Sequence, residues 1–193
     1  TRDVDRDITN LVFSGLISYS SDGLPVSDLA ESYEISDDGK QYTVTIRENA
    51  QWHDGVPVSA DDVLFTVFIV QNPQYRSSLR ANWQGVTVEK LGDKVVRFSL
   101  RAAYAPFIEN LALGILPKHI WEDIGPEQAP LHELNLKPVG SGPYRFGGIE
   151  QSKDGVVEWY ELKRNPSYYR SGPFIEKIAF LFFKSDEELI SAW

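Results

Sequence analysis

The segment from Tyr33 to Arg47 constrains the fold most. Asp37-Asp38-Gly39 is the strongest hairpin-turn signal in the chain, because glycine adopts the positive φ of a tight reversal and aspartate bonds the backbone just beyond it. After the turn, Tyr42, Val44 and Ile46 alternate with Thr43 and Thr45. Successive strand side chains point to opposite faces, so this alternation predicts a half-buried strand. The short run Tyr33 to Ile35 is its partner. A second hairpin is predicted from Val86–Lys90, the turn Gly92-Asp93 and Val95–Leu100, with Val96, Phe98 and Leu100 on one face.

Between the hairpins, Ser59-Ala60-Asp61-Asp62 precedes the apolar run VLFTVFIV. Ser59 is the expected N-cap, and the acidic pair suits the positive end of a helix. Asn72-Pro73 should stop that helix. Its apolar residues wrap nearly all round, which predicts burial on every side. Asp7–Tyr19 reads as a short helix passing into a strand at Gly15, followed by a turn at Ser21-Asp22-Gly23. Pro106 and Pro117 open short helices, and residues 125–138 form a loop. Three strands follow: Tyr144–Ile149, Val156–Leu162 and Ile175–Phe183. The last is apolar on both faces, which predicts a central strand. Ser185 with Glu188 then makes a capping box for a helix running to Trp193, so the chain reads as cut inside a helix.

The 193 residues are 42% hydrophobic and 24% charged, enough for a core without metal or disulfide staples. There is no cysteine, which excludes thiol catalysis and cysteine-held zinc. A net charge of −9 argues against nucleic acid and a polybasic membrane patch. His53, His119 and His132 lack metal-ligand spacing. No GxSxG elbow or P-loop is present, and Gly140-Ser141-Gly142 is followed by Pro143 and a strand instead of a nucleotide-binding helix. Asp37/Asp38 and Asp61/Asp62 sit in a turn and at a helix start. Neither is an acid/base pair across a cleft. No enzyme and no cofactor are expected.

Seven stretches in order carry a resemblance. They are Leu11-Val12-Phe13-Ser14-Gly15-Leu16; Asp28 to Ile35 with Asp38-Gly39-Lys40 and Tyr42 to Arg47; Trp52-His53-Asp54-Gly55-Val56-Pro57; Ser59 to Val63; Ile115 to Trp121; Gly140-Ser141-Gly142-Pro143-Tyr144; and Arg164-Asn165-Pro166-Ser167-Tyr168-Tyr169. Together the chain resembles the N-terminal part of the bacterial extracellular solute-binding proteins of family 5, which serve oligopeptide, dipeptide and nickel ABC importers. Most of these residues read as scaffold.

The resemblance implies a mixed α/β (α+β) fold, an incomplete first lobe of periplasmic-binding-protein type II with an extra small subdomain. Residues 1–24 and 139–193 would form the main part of the lobe, and 25–138 the inserted subdomain. It implies capture of a peptide, or of a small solute such as a nickel chelate, outside the cytoplasm. The protein would be periplasmic or lipid-anchored, its partners the ABC permease subunits. Ligand contacts would come from the first residues (Thr1, Arg2, Asp3 and Arg6), from Phe13 and Ser14, and from Trp83, Tyr104 and Phe107. Trp83 would stack on ligand or anchor the core. Tyr104 and Phe107 flank Pro106, and Arg6 would meet a ligand carboxylate or solvent. Ser14 stands where relatives often carry an acidic residue, which leaves the ligand class open. An unpaired sheet edge and self-association are expected. A peptide-signal receptor of the same fold and an unrelated hydrolase are the competing readings.

Overall fold

The computed structural model describes residues 3–191. Helix α1 (Asp3–Val12) leads into β1 (Ile17–Tyr19), which pairs with β2 (Pro25–Ser27). Strands β3 (Ala30–Ile35) and β4 (Gln41–Ile46) form the predicted hairpin. Helices α2 (Ala60–Gln71) and α3 (Arg80–Trp83) precede the second hairpin, β5 (Thr87–Gly92) and β6 (Val95–Ser99). Two short helices follow, α4 (Phe107–Asn110) and α5 (Lys118–Trp121). Strands β7 (Tyr144–Gln151), β8 (Val157–Arg164) and β9 (Lys177–Leu181) then lead to α6 (Asp186–Ser191). The two hairpins join through β4 and β6 into an antiparallel sheet of order β3-β4-β6-β5, and the last three strands form a separate sheet, β7-β8-β9.

The β3–β4 turn shows how local chemistry sets register. Gly39 takes φ +67°, and the Asp38 carboxylate accepts from the Ser36 hydroxyl at 2.6 Å and the Lys40 N–H at 3.1 Å. That register sends Tyr42, Val44 and Ile46 into the core, where Val96 and Phe98 of β6 join them. Aromatic rings close the layer: Tyr42 meets Phe107 edge-on at 4.9 Å, and Trp83 lies 5.7 Å from Phe107 and 5.9 Å from Phe98. Such pairs add about 0.5–1.5 kcal/mol each beyond burial.

Helix α2 starts at Ser59 and stops at Asn72, as its sequence predicts. The Asp62 carboxylate accepts from the Ser59 N–H at 2.8 Å, the Ser59 hydroxyl at 3.0 Å and, on its other oxygen, the Lys118 N–H at 2.8 Å. One buried carboxylate therefore starts both α2 and α5. The expected all-round burial is not observed. Val63, Val67 and Val70 are buried, whereas Phe68 is 56% exposed. α2 packs on β5, β6 and three short elements, which leaves one of its sides open.

A smaller core gathers Val12 of α1 with Tyr144, Tyr160 and Leu162, edged by Ile8, Leu11, Phe146, Ile178 and Phe180. The prediction of a central last strand is corrected here. Among the described residues β9 pairs only with β8 and lies at the sheet edge. Its side chains alternate, Ile178 and Phe180 turning toward the core and Leu181 outward. The continuous apolar run is a strand buried on one face, with its other face bare. The Ser185 cap does form. Its hydroxyl accepts from the Glu188 N–H at 3.3 Å, while the Glu188 carboxylate reaches the Lys184 N–H at 2.9 Å.

Candidate functional site

The resembling stretches meet where the two sheets join. Trp52 to Gly55 is a tight turn, Gly55 at φ +90°, that plants the Trp52 ring in the larger core. The next side chain, His53, faces the segment Gly140–Gly142. The Gly140 N–H lies 3.1 Å from His53 Nδ1, and the Gly142 carbonyl lies 3.1 Å from Nε2. An amide N–H can only donate, so Nδ1 accepts and Nε2 carries the proton. Burial pushes the imidazole pKa down to about 4, helped by Arg145; the Gly142 carbonyl and Asp54 oppose this less strongly.

The same segment is locked to α1. The Gly142 N–H donates to the Val12 carbonyl at 2.8 Å, and a Cβ on Gly140 or Gly142 would collide with the backbone there. Asn165 completes the junction, donating to the Gly142 carbonyl at 3.1 Å and accepting from the Ser167 N–H at 3.0 Å. The Trp52 indole N–H and the Ser141 hydroxyl are buried, with no partner among the described residues.

A second tie lies nearby. The buried Asp28 carboxylate gathers Tyr169 at 2.7 Å, Tyr168 at 3.3 Å and Arg170 at 3.4 Å. Burial, then the Asp28 charge, holds the Tyr169 phenol well above the usual tyrosine range. Asp28 follows β2, so this cluster fastens the loop after β8 to the larger core. In the sequence RNPSYY reads as scaffold, with nothing to pair it with Asp28. Carboxylate and phenols are about 140 residues apart, and no local pattern links them.

Beside the junction opens a groove of about 1520 Å³. α1 forms one wall with Val4, Ile8 and Val12, and Tyr160, Leu181 and Phe182 form the other. Among the described residues no group of three or more His, Asp or Glu is arranged to hold a metal ion. His119 Nε2 meets Asp54 at 2.8 Å as a partly exposed pair.

A sequence model of the family described as bacterial extracellular solute-binding proteins, family 5 Middle, matches residues 25–192. The chain belongs to this family. It is 31% identical over 185 residues to the oligopeptide-binding protein AppA of Bacillus subtilis strain 168, covering 93% of this chain and 33% of AppA. The structure of B. subtilis AppA in complex with a nonapeptide superposes with TM-score 0.87 at 29% identity, over 99% of this chain and 38% of that one. NikZ from Campylobacter jejuni, in complex with Ni(L-His), gives TM-score 0.82 at 34% identity, over 95% of this chain and 36% of that one. The chain thus spans about a third of the length of the curated relatives it matches. The fold is that of the family 5 proteins, here as part of a larger architecture.

The structure places the nominated residues that it describes in three settings: exposed, in the groove wall, or buried. Thr1 and Arg2 lie outside the described residues. Asp3 and Arg6 are exposed and pair with each other at 3.1 Å, and Tyr104 is 56% exposed. Phe13 lines the groove. Trp83 and Phe107 are 3% and 1% exposed, each covered by the other and by Phe98. Their ring faces are taken up by the core, so of the two readings of Trp83 the packing anchor agrees with the geometry. Ser14 is buried, its carbonyl accepting from the Ile115 N–H at 3.0 Å.

Proposed function

We propose that this chain is part of the first lobe of an extracytoplasmic solute-binding component of an ABC importer. It captures a peptide, or a small solute such as a nickel chelate, and delivers it to a membrane permease. Family membership across residues 25–192 carries this reading. It is supported by one relative named for oligopeptide binding and a similar structure holding Ni(L-His). Residues 1–24 and 139–193 form the body of the lobe, and 25–138 its subdomain. The two hydrophobic clusters support that division, although Leu16 and Ile17 pack with the larger one. Phe13, Tyr104 and the exposed start of α1 are the nominated residues with surface to offer a solute. The protein works outside the cytoplasm, free in a periplasm or lipid-anchored. The bare β9 edge lets the 193-residue chain self-associate, since an unpaired strand invites a partner.

A cleft binder desolvates its ligand between two walls. Calorimetry of the full-length protein with a defined peptide library and with Ni(L-His) should show saturable binding to one of them. The 193-residue chain alone should bind that solute at least about 100-fold more weakly. Failure of the full-length protein to bind either probe, or equal affinity of chain and whole protein, would overturn the reading.

A further inference from the structure

A side-chain clamp sits at the junction of the two sheets. His53 is the only side chain bonded to both Gly140 and Gly142 among the described contacts. Its own backbone N–H also donates to the Gly140 carbonyl at 2.8 Å. One face of this clamp is built into the larger core through Trp52, and the other is locked to Val12 and Asn165 beside the smaller core. Both imidazole nitrogens are used, one as acceptor and one as donor. A second proton has a single place to go, on Nδ1, where it would point at the Gly140 N–H. Donor would then face donor, and the clamp could not keep its geometry.

We propose that His53 is an acid-released latch: its neutral imidazole clamps the Trp52–Gly55 turn to the Gly140–Gly142 segment, and protonation opens this clamp while the Asp28 cluster still ties the two units. The charged groups that face it fit this role. Arg145 of β7 disfavours a second positive charge at the junction. Asp54, in the same turn, favours it, but that carboxylate is engaged by His119 of α5 at 2.8 Å. The environment therefore holds the imidazole neutral at ordinary pH. An unclamped imidazole regains its solvent affinity for a proton, so acid favours the open junction by mass action.

The test is hydrogen exchange on the 193-residue chain, with the His53 ring followed by NMR. At neutral pH the ring nitrogens should report the Nε2–H tautomer. Between pH 7.5 and pH 5 the Gly140 and His53 amides, whose N–H groups bond across the clamp, should lose about 30-fold in protection, while Gly142, held to Val12, and Val44 and Val96 in the four-stranded sheet keep theirs. His53→Gln retains one donor and one acceptor but cannot titrate, so it should flatten the junction response; His119→Gln should leave it intact. An Nδ1–H tautomer, an ordinary imidazole titration, or simultaneous loss of protection at junction and sheet would each overturn the latch. The tautomer and titration measurements need no variant, so they decide the matter even if His53→Gln fails to fold.

Discussion

The two sheets bury their inner faces to different degrees. In β3-β4-β6-β5, Tyr42, Val44, Ile46, Val96 and Phe98 are all buried, and Trp52, Trp83 and Phe107 close over them. In β7-β8-β9 only Tyr144, Tyr160 and Leu162 are buried and Leu181 is exposed, as are Phe174 and Ile175 before β9 and Ile190 of α6. The first unit supplies its own cover. The second presents apolar surface beside the groove, which further chain or a partner would have to cover. A sheet inside a larger lobe can therefore look well formed in its hydrogen bonds and still lack much of its core.

Core truncation should expose this contrast most strongly. Phe98→Ala empties a fully enclosed site, so denaturant unfolding should show a loss of about 3–5 kcal/mol. Phe180→Ala on β9 removes a half-buried ring at an open edge and should cost less than half as much. Equal losses would mean that the two sheets are packed alike. Next comes the tie between the units. Asp28→Ala strands two phenols and a guanidinium and should cost about 2–3 kcal/mol, with Asp28→Asn milder because its carbonyl oxygen still accepts.

The junction glycines give a sharper variant of the same comparison. Gly140→Ala forces the Val12 carbonyl aside, and overpacking of this kind costs about 1–3 kcal/mol. Gly125 and Gly172 have open space around the Cβ position, so alanine there should leave the melting temperature within error. If Gly140→Ala were equally silent, the Gly140–Gly142 segment would not be held to α1 by close backbone approach, and one side of the latch would lack its anchor.

Local signals in the sequence were reliable where the physics is local. The Asp38-Gly39 turn, the Ser59 cap and the Asn72-Pro73 stop all appear at the predicted residues. They depend on groups a few residues apart. The misses are tertiary. β9 reads as central because apolar content does not reveal whether a second neighbour is present. Phe68 reads as buried because helical wrapping does not reveal how many sides are covered. The roles of His53, Asp28 and Tyr169 depend on partners roughly 90 to 140 residues away, beyond the reach of turn chemistry or periodicity.

The smallest expected effect separates stability from solute contact. Arg6 and Asp3 bond at 3.1 Å, but their side chains are 67% and 90% exposed. An exposed pair at that separation is screened by solvent and by the entropy of two free side chains. Arg6→Ala should therefore leave the melting curve of the chain unchanged, in contrast to the Phe98, Asp28 and Gly140 substitutions. That silence makes the position informative in the full-length protein. A fall in solute affinity there, with unchanged melting, could not be an indirect effect of a weakened core, and would assign the guanidinium to the ligand. Unchanged affinity would return Arg6 to the solvated start of α1.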